Sequence, residues 1–83
     1  MDNKIITVNK GSKVSIRDIS IKVEFIGIYS NAVTLKFTDN ELKEHRVRAT
    51  SSSIGKEVAR VNGLKFVLIK FDEDVTKLHW TVA

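Results

Sequence analysis

From Ile19 to Phe37 apolar and polar residues alternate: Ile-Ser-Ile-Lys-Val-Glu-Phe, a break, then Val-Thr-Leu-Lys-Phe. A period of two is the repeat of a half-buried strand, whose successive side chains face opposite ways. A helix cannot use it, because its longer repeat would scatter these residues around the whole circumference. The break, Tyr29-Ser30-Asn31-Ala32, is short enough for a hairpin. The chain is therefore expected to be β-rich.

The rest of the chain fits that frame. Lys4 to Val8 suits a first strand, Asn9-Lys10-Gly11-Ser12 a turn, and Val14 and Ile16 one face of the next strand. Arg17-Asp18 shifts the phase before Ile19 opens the long strand. The odd-numbered face (Ile19, Ile21, Val23, Phe25) slips at Ile26-Gly27 to Ile28, which predicts a β-bulge and strong bending. Thr38 to Glu44 is a polar connection in which Asp39 can start one helical turn. His45 to Ala49 returns as a strand with Val47 and Ala49 inward, and Thr50 to Ser53 breaks it.

Residues 54–62 admit two readings. Ile54, Val58 and Val61 have helical spacing, with Ser53 to cap and Gly63 to close. Against that, Gly55 and two valines are weak helix formers. Asn62-Gly63 is a strong hairpin signal, since a type I′ turn needs positive φ at both positions. The hairpin also puts Ala59, Val61, Leu64, Phe66 and Leu68 on one face, and it is favoured. Asp72-Glu73-Asp74 is the last turn, before a final strand from Val75 to Val82. The expected architecture is all-β, a single domain over 1–83. It is a small, strongly curved barrel or rolled antiparallel sheet of about 6–8 short strands, with at most one short helix. Ile21, Val23, Phe25, Val33, Leu35, Phe37, Phe66, Leu68 and Trp80 are its expected core.

Composition narrows the function classes. The 83 residues contain no cysteine, which excludes disulfides and thiolate metal sites. No apolar run reaches the roughly 18 residues of a membrane span, and Met-Asp-Asn-Lys does not open like a signal peptide, so a cytoplasmic protein is expected. Residues 1–70 carry 13 basic and 7 acidic side chains, whereas residues 71–83 carry one and three. A positive body this small concentrates polyanions around itself.

Catalysis finds little support. His45 and His79 are far apart in sequence, and both are expected on polar strand faces. Asp72-Glu73-Asp74 lacks the alternating ligands and glycine bend of a calcium loop. The four glycines are too scattered for a phosphate loop. No enzyme activity, cofactor or metal is expected. His45-Arg46-Val47-Arg48 carries more information, because Arg46 and Arg48 share the outward face of a strand, about 7 Å apart. Guanidiniums so placed suit successive phosphates or base edges. Lys22, Lys36 and Lys65, on outward positions elsewhere, are expected to widen this surface. Tyr29 is the only aromatic expected to face solvent.

The run Lys10-Gly11-x-x-Val14-x-Ile16-x-Asp18, Ile19-x-Ile21-x-Val23, Gly27-Ile28-x-x-Asn31-x-Val33-x-Leu35 and His45-Arg46 resembles the small RNA-binding carbon storage regulator family. The resemblance covers roughly residues 5–48. It implies five strands per chain interlocked in a homodimer, with His45-Arg46 as the RNA-contacting His-Arg step. The family's paired arginines of the first strand fall here on Val8 and Asn9, and residues 54–83 have no counterpart.

Two functions are thus expected in order. The first is a small, basic, regulatory nucleic-acid-binding protein, RNA before DNA, using His45, Arg46, Arg48, Lys36 and Lys22. The alternative is an interaction protein of the phage or mobile-element kind that sequesters a host protein or forms a homo-oligomer through an exposed strand edge. The terminal strand carrying Leu78, Trp80 and Val82 is the expected edge, since Trp anchors interfaces.

Overall fold

Alternation sorts the side chains into two populations, and burying one of them produces two sheets. A computed structural model describes residues 4–16 and 21–82. The strands are β1 (Ile5–Asn9), β2 (Lys13–Ile16), β3 (Ile21–Tyr29), β4 (Ala32–Thr38), β5 (Glu44–Ala49), β6 (Glu57–Val61), β7 (Leu64–Phe71) and β8 (Val75–Val82). Arg17, Asp18 and Ile19, expected to shift the phase and open β3, lie outside the described residues.

One sheet is the meander β2-β3-β4-β5, and the other has the order β1-β8-β7-β6. All their strand pairs are antiparallel. The chain crosses between the sheets after β1, and again after β5 through the 3-10 turn Ser51–Ser53. Neither sheet closes on itself, so the expected barrel is replaced by two open four-stranded sheets. The crossings interrupt the ladder. Between β1 and the meander sheet only an isolated parallel bridge, Lys10 with Phe25, is formed among the described residues. No ladder joins β5 to β6.

The inward faces meet in one core cluster. Val23, Phe25, Val33, Leu35 and Phe37 enter from the meander sheet, and Val8, Val61, Leu64, Phe66, Leu68 and Leu78 from the other. The Phe37 and Phe66 rings stitch the layers together with centroids 4.8 Å apart, tilted by 55°. Every expected core residue is buried except Trp80, which packs partly buried against the cluster.

Turn chemistry follows the sequence at two hairpins. Ser30 and Asn31 have φ of 53° and 64°, and Asn62 and Gly63 have 51° and 78°, so both loops use paired positive-φ residues. Residues 57–61 are thus the first arm of a hairpin rather than a helix. The bulge falls where the phase slips: Phe25 pairs with Leu35 and Gly27 with Thr34, leaving Ile26 over. The connection after β4 is not helical. Asp39 Oδ1 accepts the N–H groups of Glu41 and Lys43, both at 2.9 Å, and Leu42 takes a φ of 64°. A side chain that caps its own loop competes with the helix it was expected to start.

Candidate functional site

The register of the meander sheet assembles its outward face. Lys13, Glu24, Lys36 and Arg46 are successive partners across β2, β3, β4 and β5. One row toward the β3–β4 turn, Gly27, Thr34 and Arg48 are successive partners. One row the other way stand Ser15, Lys22, Thr38 and Glu44. Lys22, Lys36, Arg46 and Arg48 therefore share one surface, and Lys13, absent from the expected set, joins them. Lys65 does not, because β7 lies in the other sheet.

These cations are not equivalent. Lys36 Nζ lies 3.2 Å from Glu44 Oε2 and 3.3 Å from Glu24 Oε1, with a side chain only 19% exposed. Glu44 first, and Glu24 second, hold the ammonium above its ordinary value. Lys36 thus engages the two carboxylates of the face. Arg48 Nη2 donates to the Tyr29 carbonyl at 3.4 Å, while Arg46, Lys13 and Lys22 have no hydrogen-bond or ion-pair partner among the described residues. Among the described residues, four of the five cations on this face remain uncompensated by a carboxylate.

His45 departs from the expectation. It pairs in register with buried Phe37, so it belongs to the inward parity of Val47 and Ala49 rather than to the face of Arg46. At the rim its Nε2 lies 3.1 Å from Asp39 Oδ2. That contact, followed by the Lys43 N–H, holds the Asp39 carboxyl below its ordinary value. His45 therefore fastens the β4–β5 turn, and the Arg46/Arg48 side of the strand is reached without it. His79 faces out of the other sheet, between Ile5 and Val67.

The expected interface strand is not an edge. β8 is hydrogen-bonded to β7 on one side and to β1 on the other, Leu78 is fully buried, and Lys4 Nζ lies 5.6 Å from the Trp80 ring centroid. Only Val82, 74% exposed, faces solvent. The physical reason is the return of β1, which fills the hydrogen-bonding side left open in sequence. The true edges are β1, β6, β2 and β5.

Tyr29 stands 61% exposed at the end of β3. A Cβ on Gly27 would meet Tyr29 Cε2 and Oη at 3.2 Å, so the ring leans back over the glycine. The bulge at Ile26 gives both residues the outward parity, Gly27 in the row of Arg48 and Tyr29 one row beyond it, opposite Ala32. The signal for this placement was the phase slip itself.

Among the described residues no three His, Cys, Asp or Glu side chains are grouped to hold a metal ion, and no helix is long and apolar enough to cross a membrane. The acidic turn after β7 is organised by Asp72 Oδ1, which accepts the N–H groups of Asp74 and Val75 at 2.8 and 2.9 Å. A shallow, open depression nearby is lined by Ile28, Asn31, Ser51, Phe71, Asp72 and Glu73. Comparisons with protein-family models, curated proteins and solved structures find no match for this chain.

Proposed function

We propose that this chain is a small, non-enzymatic regulatory protein that binds nucleic acid, RNA before DNA, on the outer face of its β2–β5 sheet. One observation carries the reading. Lys36 engages both carboxylates of that face, leaving Arg46 and Arg48 along the edge strand β5, and Lys22 on β3 and Lys13 on β2, without an acidic partner among the described residues. Backbone phosphates supply the missing charge, and Arg meets them with paired donors. The resemblance of residues 5–48 to the carbon storage regulators supports RNA over DNA, though with His45 as a support rather than a contact.

The test is binding of labelled oligonucleotides at two salt concentrations. Four phosphate contacts predict a loss of roughly 50- to 150-fold in affinity between about 50 and 200 mM salt, through counterion release. Arg46→Ala with Arg48→Ala removes most of the affinity, and no binding at low salt refutes the proposal. A second reading, strand addition by a protein partner, transfers from β8 to the edge β5, whose Arg46 and Arg48 suit an acidic segment. Retention of a lysate protein after nuclease treatment, together with no oligonucleotide binding, favours that reading.

A further inference from the structure

Charge alone does not say whether a single strand or a duplex lies on this face; the placement of Tyr29 does. Its ring is the large exposed aromatic of the described surface. Its backbone stands opposite Ala32, one row beyond the Gly27–Thr34–Arg48 row and two strands, about 10 Å across the sheet, from β5. Arg48 closes that gap itself, reaching over β4 to donate to the Tyr29 carbonyl at 3.4 Å. Arg46 follows on the same side of β5, about 7 Å along the strand. A π surface at the end of β3 and two guanidiniums along β5 thus share one corner of the face, joined by the reach of Arg48.

The centre of the face points the same way. Lys36 is neutralised between Glu24 and Glu44, so the middle of the sheet offers a duplex no continuous cationic bed. The two arginines lie along the edge strand β5, where one strand can track them. A paired base inside a duplex presents no free π face, whereas every base of a single strand does.

We infer that this surface is selective for single-stranded nucleic acid, with an unpaired base stacked on Tyr29 and neighbouring phosphates held by Arg48 and Arg46. The inference rests on the proposed function and adds the strandedness of the ligand and the residue that reads it. Gly27 has a stated part, since its missing side chain lets the ring lean over the sheet without collision. Covering a sheet glycine is also a purely structural use of an aromatic ring. The two roles separate in their readouts: covering Gly27 affects melting alone, whereas stacking affects affinity for one kind of strand.

Fluorescence anisotropy with a labelled ten-nucleotide RNA, as a single strand and annealed to its complement, decides the matter at about 50 mM salt. The parent is expected to prefer the single strand. Tyr29→Ala is expected to weaken single-strand binding by at least about fivefold, with the salt slope unchanged because stacking releases no counterions. Tyr29→Phe keeps the ring and is expected to bind as the parent does. Arg46→Ala with Arg48→Ala is expected to flatten the salt slope. Equal affinity for both forms, or a Tyr29→Ala variant that binds the single strand like the parent, overturns the inference. If the arginine variant still loses binding in that case, the proposed function survives its failure. Failure of both RNA forms to bind the parent overturns the two together.

Discussion

The two sheets turn outer faces of similar charge to solvent and arrange that charge differently. The β2–β5 face carries Lys13, Lys22, Lys36, Arg46 and Arg48 with Glu24 and Glu44. The β1/β6–β8 face carries Arg60, Lys65, Lys70 and Lys77 with Glu57. Among the described residues, cations outnumber carboxylates by three on each. On the first, both carboxylates converge on Lys36 and the arginines line an edge beside Tyr29. On the second, Glu57 pairs with Arg60 at 2.7 Å, and Ile5, His79 and Val67 form an unbroken row between the lysines. Lysine stems beside such aliphatics cover apolar surface while their ammonium groups stay in water. Net charge does not distinguish the two faces; the spacing of charge from counter-charge and from the aromatic does.

The largest expected effect tests whether the sheets differ only on their outsides. Phe37→Ala and Phe66→Ala remove rings from opposite sheets of one core, and each is expected to cost about 3–5 kcal/mol in denaturant unfolding. The double variant should cost less than the sum by about 0.5–1.5 kcal/mol, the coupling of a tilted ring pair. A full loss from one ring and none from the other would mean that the layers do not share a core.

Next comes the contrast of the faces themselves. Arg46→Ala with Arg48→Ala is expected to reduce oligonucleotide affinity about 100-fold, from two charge-assisted contacts. Lys70→Gln with Lys77→Gln removes the same charge from the other face, where the two lysines are direct cross-strand neighbours. It is expected to cost less than about threefold, through long-range attraction alone. Similar losses from both variants would reduce the interface to net charge and erase the distinction between the faces.

A smaller effect lies beneath the β1/β6–β8 sheet. Thr76 is fully buried on the inward side of β8, and its hydroxyl has no hydrogen-bond partner. Thr76→Val keeps the shape and removes the unpaired group, so stability should rise by about 1 kcal/mol, with binding unchanged. A lower melting temperature would show that the hydroxyl is satisfied by water or backbone.

The smallest effect concerns the turn that holds the edge strand. The Asp39 carboxyl is held below its ordinary value of 3.8 by His45 first and then by the Lys43 N–H. A depressed folded-state pKa contributes stability above the unfolded value and loses it as pH falls through the folded one. Asp39→Asn should therefore lower the melting temperature near pH 6 and bring the variant and parent together well below pH 3.8. A difference that persists unchanged in acid would assign the turn's stability to shape rather than charge.

Local structure was legible wherever it depends on neighbours in the chain. Alternation from Ile21 to Phe37 placed the buried residues, and the slip at Ile26-Gly27 marked the bulge. Asn62-Gly63 marked a hairpin that helical spacing had contested. The parity of Arg46 and Arg48 was legible too. His45 shares the parity of Val47, yet its polarity suggested the opposite face. Only the Asp39 carboxylate beyond the end of β4 explains a histidine on the inward side of the rim.

What the sequence determined by itself, then, was strand content, the two hairpin turns, the bulge and the buried face of the strands, because each follows from steric preference and burial over a few consecutive residues. The tertiary structure alone decided that β1 leaves the meander to pair with β8, that Trp80 lies in an internal strand, that Lys65 belongs to the opposite face, and that Lys36 is neutralised while Arg48 reaches Tyr29. These join residues distant in the chain. Whether distant strands pair depends on closing long loops against the gain of burying two faces in one core, and no local run of residues encodes that balance.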